Sequence, residues 1–198
     1  MRKFVLAGLA TVIAVLTGVS NSQSFAGERN DPKSEASTEI SWKKDRKLTW
    51  NDFRGPVPYD AEDQTAAATF CGIGFETQGI GAKNQNLKVK VYNTFYIGNS
   101  WARTEEMNDD VLAHEQGHFD LCELYTRKLR ERMTDLRASA NTIKPTLRRI
   151  YDELQDEYKN RQELYEEETG HGVNIAEQKK WEKMLEKELS DTEKWSES

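Results

Sequence analysis

A helical period that begins behind Asn108 is the strongest structural signal in the sequence. Residues recur along it at spacings of three and four: Val111, His114, Glu115, His118, Cys122, Tyr125 and Leu129. Residues at these spacings share one face of an α-helix. Asn108 is a suitable N-cap, and Asp109 and Asp110 lie in the first turn, where acidic side chains complement the helix dipole. The pattern therefore predicts a helix with two histidines and a glutamate on one face.

The five residues from His114 to His118 have the spacing of a metal motif. Histidines four apart on a helix point to the same side, so His114 and His118 can bind one zinc ion. Glu115 is too far round the helix to be a ligand, but it can hold a metal-bound water and take its proton. The same sequence pattern would also arise from two histidines buried in the core and an ordinary surface glutamate, without a metal. Burying these groups without a partner is costly, however, and a metal supplies the partner.

Two further helices are predicted in the C-terminal half. Pro145 suits the first position of one helix, and Gly170 can take the left-handed conformation that ends it. Asn174, with Glu177 three residues later, resembles a capping box and predicts the start of the other helix, through Leu185. The turn between these two helices is therefore short and fixed at both ends.

His171 lies in that turn and is the third histidine of the chain. A catalytic zinc usually takes three protein ligands and leaves a fourth position for water. An antiparallel return of the chain could bring His171 against the histidine pair, so we predict it as the third ligand. Glu167, Glu168 and Asp152 on the preceding helix are the carboxylate alternatives.

The residues before the metal motif have strand character. Small, β-branched and aromatic residues fill 65–75, and apolar residues alternate with lysines in 87–97. The lysines indicate a sheet edge. Extended peptides often pair with such an edge, so we predict that a substrate runs along residues 93–99. The fold class predicted is α+β: an N-terminal sheet, then the active-site helix and a helical C-terminal half.

The N-terminus has the features of an export signal. Arg2 and Lys3 precede an apolar stretch, and Ser24 and Ala26 offer small residues before a cleavage site. We predict a signal peptide at 1–26, a flexible lead-in at 27–47, a catalytic domain at 48–190 and a polar tail at 191–198. The apolar run is shorter than the roughly 20 residues that span a bilayer, which favours cleavage over an uncleaved anchor. The mature protein is expected in the periplasm or secreted, with no membrane partner.

Cys71 and Cys122 are the two cysteines of the chain. A disulfide is expected in an oxidising compartment and would restrict the unfolded chain by roughly 4 kcal/mol. Two buried thiols or additional zinc ligands are the alternatives. The formal net charge is −6, and binding to phosphates needs a basic surface, so nucleic acid is not an expected partner.

Several stretches resemble the bacterial DUF922 family. They are Leu48–Gly55, Asn93–Tyr96, Leu112–Asp120 and Glu168–Gly172, together with Gln178 and Trp181. That family is described as secreted zinc-dependent proteases. The resemblance covers residues 47–181 and implies a small zincin-like fold that acts on a peptide or protein substrate.

The sequence thus predicts an exported zinc metallopeptidase in which Glu115 is the general base. Tyr165, Tyr158 and Arg103 are candidates for a second oxyanion donor. Two other classes of function stay open: a zinc-stabilised periplasmic binding or assembly factor without peptidase activity, and a metal-free helical interaction protein.

Overall fold

The fold is α+β, as predicted: two small antiparallel sheets, one of three strands and one of two, precede three helices. The structure is a computed structural model that describes residues 38–78, 88–134, 136 and 142–196. The predicted signal peptide, the lead-in up to residue 37 and the last two residues of the tail lie outside the described residues.

The strands are β1 (Glu39–Ile40), β2 (Ala67–Ala68), β3 (Cys71–Gln78), β4 (Lys88–Tyr96) and β5 (Trp101–Ala102). The helices are α1 (Asp109–Met133), α2 (Ile143–Thr169) and α3 (Ile175–Asp191). Three short 3₁₀ turns cover Trp50–Asp52, Thr104–Glu106 and Glu193–Trp195.

Strand β4 is central in its sheet, so the predicted sheet edge is wrong. The strand order is β1-β4-β3, and Phe95 pairs with Ile40 on one side and with Cys71 on the other. The backbone N–H of Ile97 also donates to the oxygen of Thr38, at 3.0 Å. Backbone groups at Phe95 and Ile97 are therefore already paired within the fold, and the substrate path predicted along residues 93–99 is wrong.

Residues 38–47, expected to belong to a flexible lead-in, are part of the fold. Besides forming β1, this segment contributes Trp42, whose indole N–H donates to Oδ1 of Asp120 on α1 at 2.6 Å. The backbone N–H of Trp42 donates to Oδ1 of Asn93 at 2.9 Å. Ile40 joins the hydrophobic core, and Trp42 packs against it. These two apolar residues anchor a segment whose average composition is polar.

Helix α1 lies between the sheet and the other two helices. The Phe119 ring packs against Phe95 of β4, with centroids 5.5 Å apart, and Leu121 and Leu124 are fully buried. Asn108 is the N-cap, as predicted, because its Oδ1 accepts the backbone N–H of Val111 at 3.0 Å. Burial on all sides holds this helix, and hence the metal motif, in a fixed position.

Helices α2 and α3 follow the predicted pattern closely. Helix α2 begins at Ile143, slightly before Pro145, and Gly170 ends it in the left-handed conformation at φ 55°. Asn174 caps α3 through a hydrogen bond from the backbone N–H of Glu177, at 3.3 Å. Within the described residues, none of the helices combines the length and apolarity that crossing a membrane requires.

The expected disulfide is not formed, because Cys71 and Cys122 are both free and buried. Sγ of Cys71 lies 3.5 Å from the hydroxyl of Tyr158 and 3.8 Å from the backbone oxygen of His118. Burial raises the pKa of Cys122 well above its usual range, so this thiol stays protonated. The two residues behave as core thiols, the first of the two alternatives.

Candidate metal centre

The two motif histidines face each other on α1, as their spacing predicts. Their ring centroids are 4.7 Å apart, and the Nε2 atoms of His114 and His118 are separated by 3.2 Å. Both side chains are buried. One turn of helix is enough to bring two nitrogen donors to the same point.

A third donor comes from Glu166 on α2. Its Oε2 lies 3.4 Å from Nε2 of His114, and its Oε1 lies 3.2 Å from Nε2 of His118. Among the described residues, His114, His118 and Glu166 form the cluster of side chains that could hold a metal ion. The carboxylate alternatives considered from sequence lie elsewhere: Glu167, Glu168 and Asp152 are all exposed.

The separations within this cluster fit a zinc ion. Tetrahedral zinc with bonds of about 2.0–2.1 Å to nitrogen and oxygen places neighbouring donor atoms about 3.3 Å apart. The two histidine nitrogens are 3.2 Å apart, and each faces a different oxygen of Glu166, Oε2 at 3.4 Å from His114 and Oε1 at 3.2 Å from His118. Two imidazoles and one carboxylate are also a donor set that catalytic zinc uses, and three protein donors leave a position for water.

Two glutamines set the tautomer of the histidines. Oε1 of Gln162 lies 2.6 Å from Nδ1 of His118, and Oε1 of Gln178 lies 3.1 Å from Nδ1 of His114. The Nε2 amide of Gln162 donates to the backbone oxygen of His118 at 3.2 Å, which fixes the orientation of this amide. Each Nδ1 therefore donates its hydrogen, and Nε2, which faces the cluster, is the nitrogen left on each ring to bind a metal.

Close packing against two glycines shapes the cluster. Tyr165 stacks on His114 with centroids 4.8 Å apart, and a Cβ at Gly117 would lie 2.1 Å from its hydroxyl oxygen. On the other side, a Cβ at Gly172 would lie 2.9 Å from Cγ of His114. Side chains at these two positions would displace the rings that hold or support the donors.

The electrostatics of the cluster favour a cation. Burial would raise the pKa of Glu166, but the charge of the neighbouring His118 holds it well below its usual range. Burial by itself would lower the pKa of His118, yet the Glu166 carboxylate raises it to about 9. A buried carboxylate of this kind requires a compensating positive charge, which a metal ion can supply.

Glu115 lies beside the cluster with an unsatisfied carboxylate. The side chain is fully buried, and neither carboxylate oxygen has a hydrogen-bond partner in the part of the chain that the structure describes. Its backbone oxygen accepts a hydrogen bond from the hydroxyl of Thr69 at 3.3 Å. Because buried carboxylates nearly always have partners, the orphaned oxygens indicate a group that joins the site, such as a bound water.

His171 contacts the cluster through Glu166. Nδ1 of His171 lies 2.9 Å from Oε2 of Glu166, and the side chain is 36% exposed. The structure thus brings His171 next to the carboxylate, whereas the donor cluster itself consists of His114, His118 and Glu166. Direct ligation by His171 stays a prediction.

Comparison with known families identifies the chain. A family model described as a bacterial protein of unknown function, DUF922, matches residues 58–172, which is more than half of the chain. The chain belongs to DUF922. Neither the comparison with curated proteins nor the comparison with solved structures gives a match. The family assignment is therefore confirmed, while the protease activity and the zincin-like fold remain predictions.

The DUF922 region contains most of the site, but not all of it. The match includes the three donors, Glu115 and His171, and it ends at residue 172. Gln178, which accepts the Nδ1 hydrogen of His114, lies beyond it on α3. The first turn of α3 therefore supplies the hydrogen-bond acceptor for His114, which lies inside the DUF922 match.

The three residues predicted from sequence as oxyanion donors form hydrogen bonds within the fold of this DUF922 protein. The Tyr165 hydroxyl donates to the backbone oxygen of His114 at 3.0 Å, and the Tyr158 hydroxyl accepts from Nε2 of Gln162 at 2.8 Å. Arg103 donates to the backbone oxygen of Thr65 at 2.9 Å. Burial raises the pKa of both tyrosines well above its usual range, so both stay protonated in these contacts.

Proposed function

We propose that this DUF922 protein is a zinc-dependent peptidase whose metal is held by His114, His118 and Glu166. The observation that carries the proposal is the geometry of the three donors, beside a glutamate whose carboxylate has no hydrogen-bond partner within the described part of the chain. The glutamate directly follows the first histidine of the motif, the position that general bases of this type occupy. We further propose that the protein acts in the periplasm or after secretion, which rests on the signal-like residues 1–26.

The proposed reaction is hydrolysis of a peptide bond. Zinc, when bound, supplies a Lewis acid that lowers the pKa of a bound water to about 7. Glu115 would take a proton from the attacking water through its carboxylate as the water oxygen adds to the carbonyl carbon. It would then pass this proton to the amide nitrogen, and the C–N bond breaks to release the amine and the carboxylic acid. His114 and His118 would bind the metal through Nε2 because their Nδ1 hydrogens are held by the two glutamines.

The orphaned carboxylate distinguishes this proposal from a purely structural site. A structural zinc is usually closed by four protein ligands, whereas a catalytic zinc has three and keeps a position for water. Three donors converge here, and the carboxylate of Glu115, on α1, has no hydrogen-bond partner among the residues that the structure describes. A buried carboxylate without a partner destabilises the fold, and a structural metal site does not need one.

The burial of the donors favours a second candidate, a zinc-stabilised binding or assembly factor. His114 and Glu166 are exposed by only 1% and 4%, as expected when a metal serves the fold. In that case zinc would contribute to folding free energy, and Glu115 would have no role in turnover.

The experiment that separates the two candidates compares wild type with Glu115→Gln. Zinc content is measured by elemental analysis, and peptide cleavage is measured on a peptide library with mass-spectrometric detection. The peptidase proposal expects stoichiometric zinc in both proteins and a loss of cleavage of at least about 100-fold in Glu115→Gln. Glu167→Gln, which changes an exposed glutamate on α2, is the matched control and should cleave like wild type. Zinc in both proteins with cleavage in neither would favour the binding factor.

A further inference from the structure

The turn that contains His171 has an unusual backbone. Gly170, His171 and Gly172 are left-handed in succession, with φ values of 55°, 56° and 79°. A positive φ is uncommon for any residue with a Cβ, although histidine adopts it more often than most. His171 is the only non-glycine residue with positive φ among the residues that the structure describes. A side chain held in a disfavoured conformation suggests that the side chain itself is needed there.

The turn is fixed at several points, so the position of His171 is well defined. The backbone N–H of His171 donates to the backbone oxygen of Glu166 at 2.9 Å. The backbone N–H of Asn174 donates to the backbone oxygen of Thr169 at 2.8 Å. Gly172 packs directly on the ring of His114, where only a glycine fits. The turn therefore presents the imidazole of His171 to the carboxylate of Glu166.

The contact with Glu166 has a defined direction. Nδ1 of His171 lies 2.9 Å from Oε2 of Glu166, and a carboxylate that binds a metal ion only accepts hydrogen bonds, so the imidazole is the donor. The same oxygen lies 3.4 Å from Nε2 of His114. Oε1, the other oxygen, lies 3.2 Å from Nε2 of His118. The bond from His171 thus holds Oε2 from the side of the turn, while the two motif histidines face the carboxylate from α1.

We propose that His171 is a positioning residue, which orients Glu166 for the metal through its Nδ1–H and does not itself ligate the ion. The inference rests on the proposed function only in that Glu166 binds a metal. Ligating carboxylates commonly need such a hydrogen bond, and its loss typically weakens metal binding by about 10- to 100-fold.

Two substitutions separate positioning from ligation. His171→Asn places an amide N–H close to the position of Nδ1–H, and asparagine tolerates the left-handed backbone. His171→Gly also accepts this backbone but removes the donor. Both variants preserve the turn, whereas alanine would add backbone strain. Zinc affinity is measured by competition with a chromophoric chelator, and the visible spectrum of the Co²⁺-substituted protein reports the ligand set.

The positioning role predicts that His171→Gly binds zinc about 10- to 100-fold more weakly than wild type, and His171→Asn within about threefold of it. The Co²⁺ spectrum of His171→Asn should match that of wild type. An equal loss of affinity in both variants, or a changed Co²⁺ spectrum in His171→Asn, would instead make His171 a ligand. Unchanged affinity in both would leave it no role at the metal. A wild-type protein that binds no zinc would refute the metal site itself, which is a separate outcome from these.

Discussion

Oε1 of Glu166 lies 3.2 Å from Nε2 of His118, although the two residues belong to different helices. The contact depends on how α2 packs against α1, with Tyr165 stacked on His114 next to it. The donor geometry is therefore a property of the helix pair, and substitutions that shift one helix should affect metal binding without touching a donor.

Gly117→Ala tests this dependence. A Cβ at this position would lie 2.1 Å from the hydroxyl of Tyr165, so the ring or the helix must move. Alanine is the better helix former by about 1 kcal/mol, yet overpacking of this kind costs typically about 1–3 kcal/mol. We expect a lower free energy of unfolding, measured by urea denaturation, together with weaker zinc binding.

Gly98→Ala is the matched control for that variant. No atom lies within 4 Å of a Cβ built at Gly98, and its φ is not in the left-handed region. Its stability and zinc affinity should equal those of wild type. If Gly117→Ala is as stable as Gly98→Ala and binds zinc equally well, the packing account of the site fails.

The glutamines that accept the histidine hydrogens should be needed for tight metal binding. Gln162→Leu and Gln178→Leu remove the acceptors at Nδ1 of His118 and His114, respectively. We expect each to weaken zinc binding by about 10- to 100-fold, as measured by chelator competition. Gln64→Leu, at an exposed glutamine bonded to Glu62, is the control and should have no effect. Wild-type affinity in both variants would show that the histidines do not need these acceptors.

The helical part of the site could be predicted from sequence because it depends on local spacing. His114, Glu115 and His118 lie within one helical turn, so their common face follows from the sequence alone. Glu166 was missed because its proximity depends on the rotation of α2. A signal was present: Glu166 follows the buried helical positions Tyr158, Gln162 and Tyr165. An acidic residue on an otherwise buried helix face is rare unless it has a partner.

The central position of β4 could not be predicted, for a different physical reason. Its neighbour β1 is only two residues long, which is too short to show an alternating pattern. The lysines at the beginning of β4 lie beyond the stretch that β1 covers, and there their side chains are exposed. The lysines therefore predicted an edge correctly for the N-terminal end of β4 and incorrectly for its C-terminal end.

The free cysteines lead to a direct chemical prediction. Because Cys71 and Cys122 are both buried thiols, neither should react with an alkylating reagent in the folded protein. In denaturant without reductant, both should be alkylated, which intact-mass measurement detects as two added groups. Protein that takes up label only after reduction would contain a disulfide and would contradict the structure.

Asp52 should make stability depend on pH in the acid range. Burial alone would raise its pKa, but hydrogen bonds from Arg46 and from the backbone of Thr49 lower it, each over 2.8 Å. Because the pKa of Asp52 is lower in the folded state than the value of about 3.9 in the unfolded state, its ionised carboxylate stabilises the fold at a pH above that unfolded value. This contribution is lost as the pH falls through the pKa of the folded state. Asp52→Asn should therefore be less stable than wild type at pH 7, with a difference that shrinks below about pH 4. Asp60→Asn, at an exposed site, should show no such trend in urea denaturation.

The most direct test of the account is the zinc content and zinc affinity of Glu166→Ala beside wild type and Glu167→Ala. The donor set predicts one zinc ion per chain in wild type. Glu167→Ala should also bind one zinc ion, with the affinity of wild type, because Glu167 is exposed. Removal of Glu166 takes away one of three ligands, so Glu166→Ala should lose tight binding by orders of magnitude. Elemental analysis and chelator competition measure both quantities. Stoichiometric zinc at wild-type affinity in Glu166→Ala would contradict the proposed metal centre.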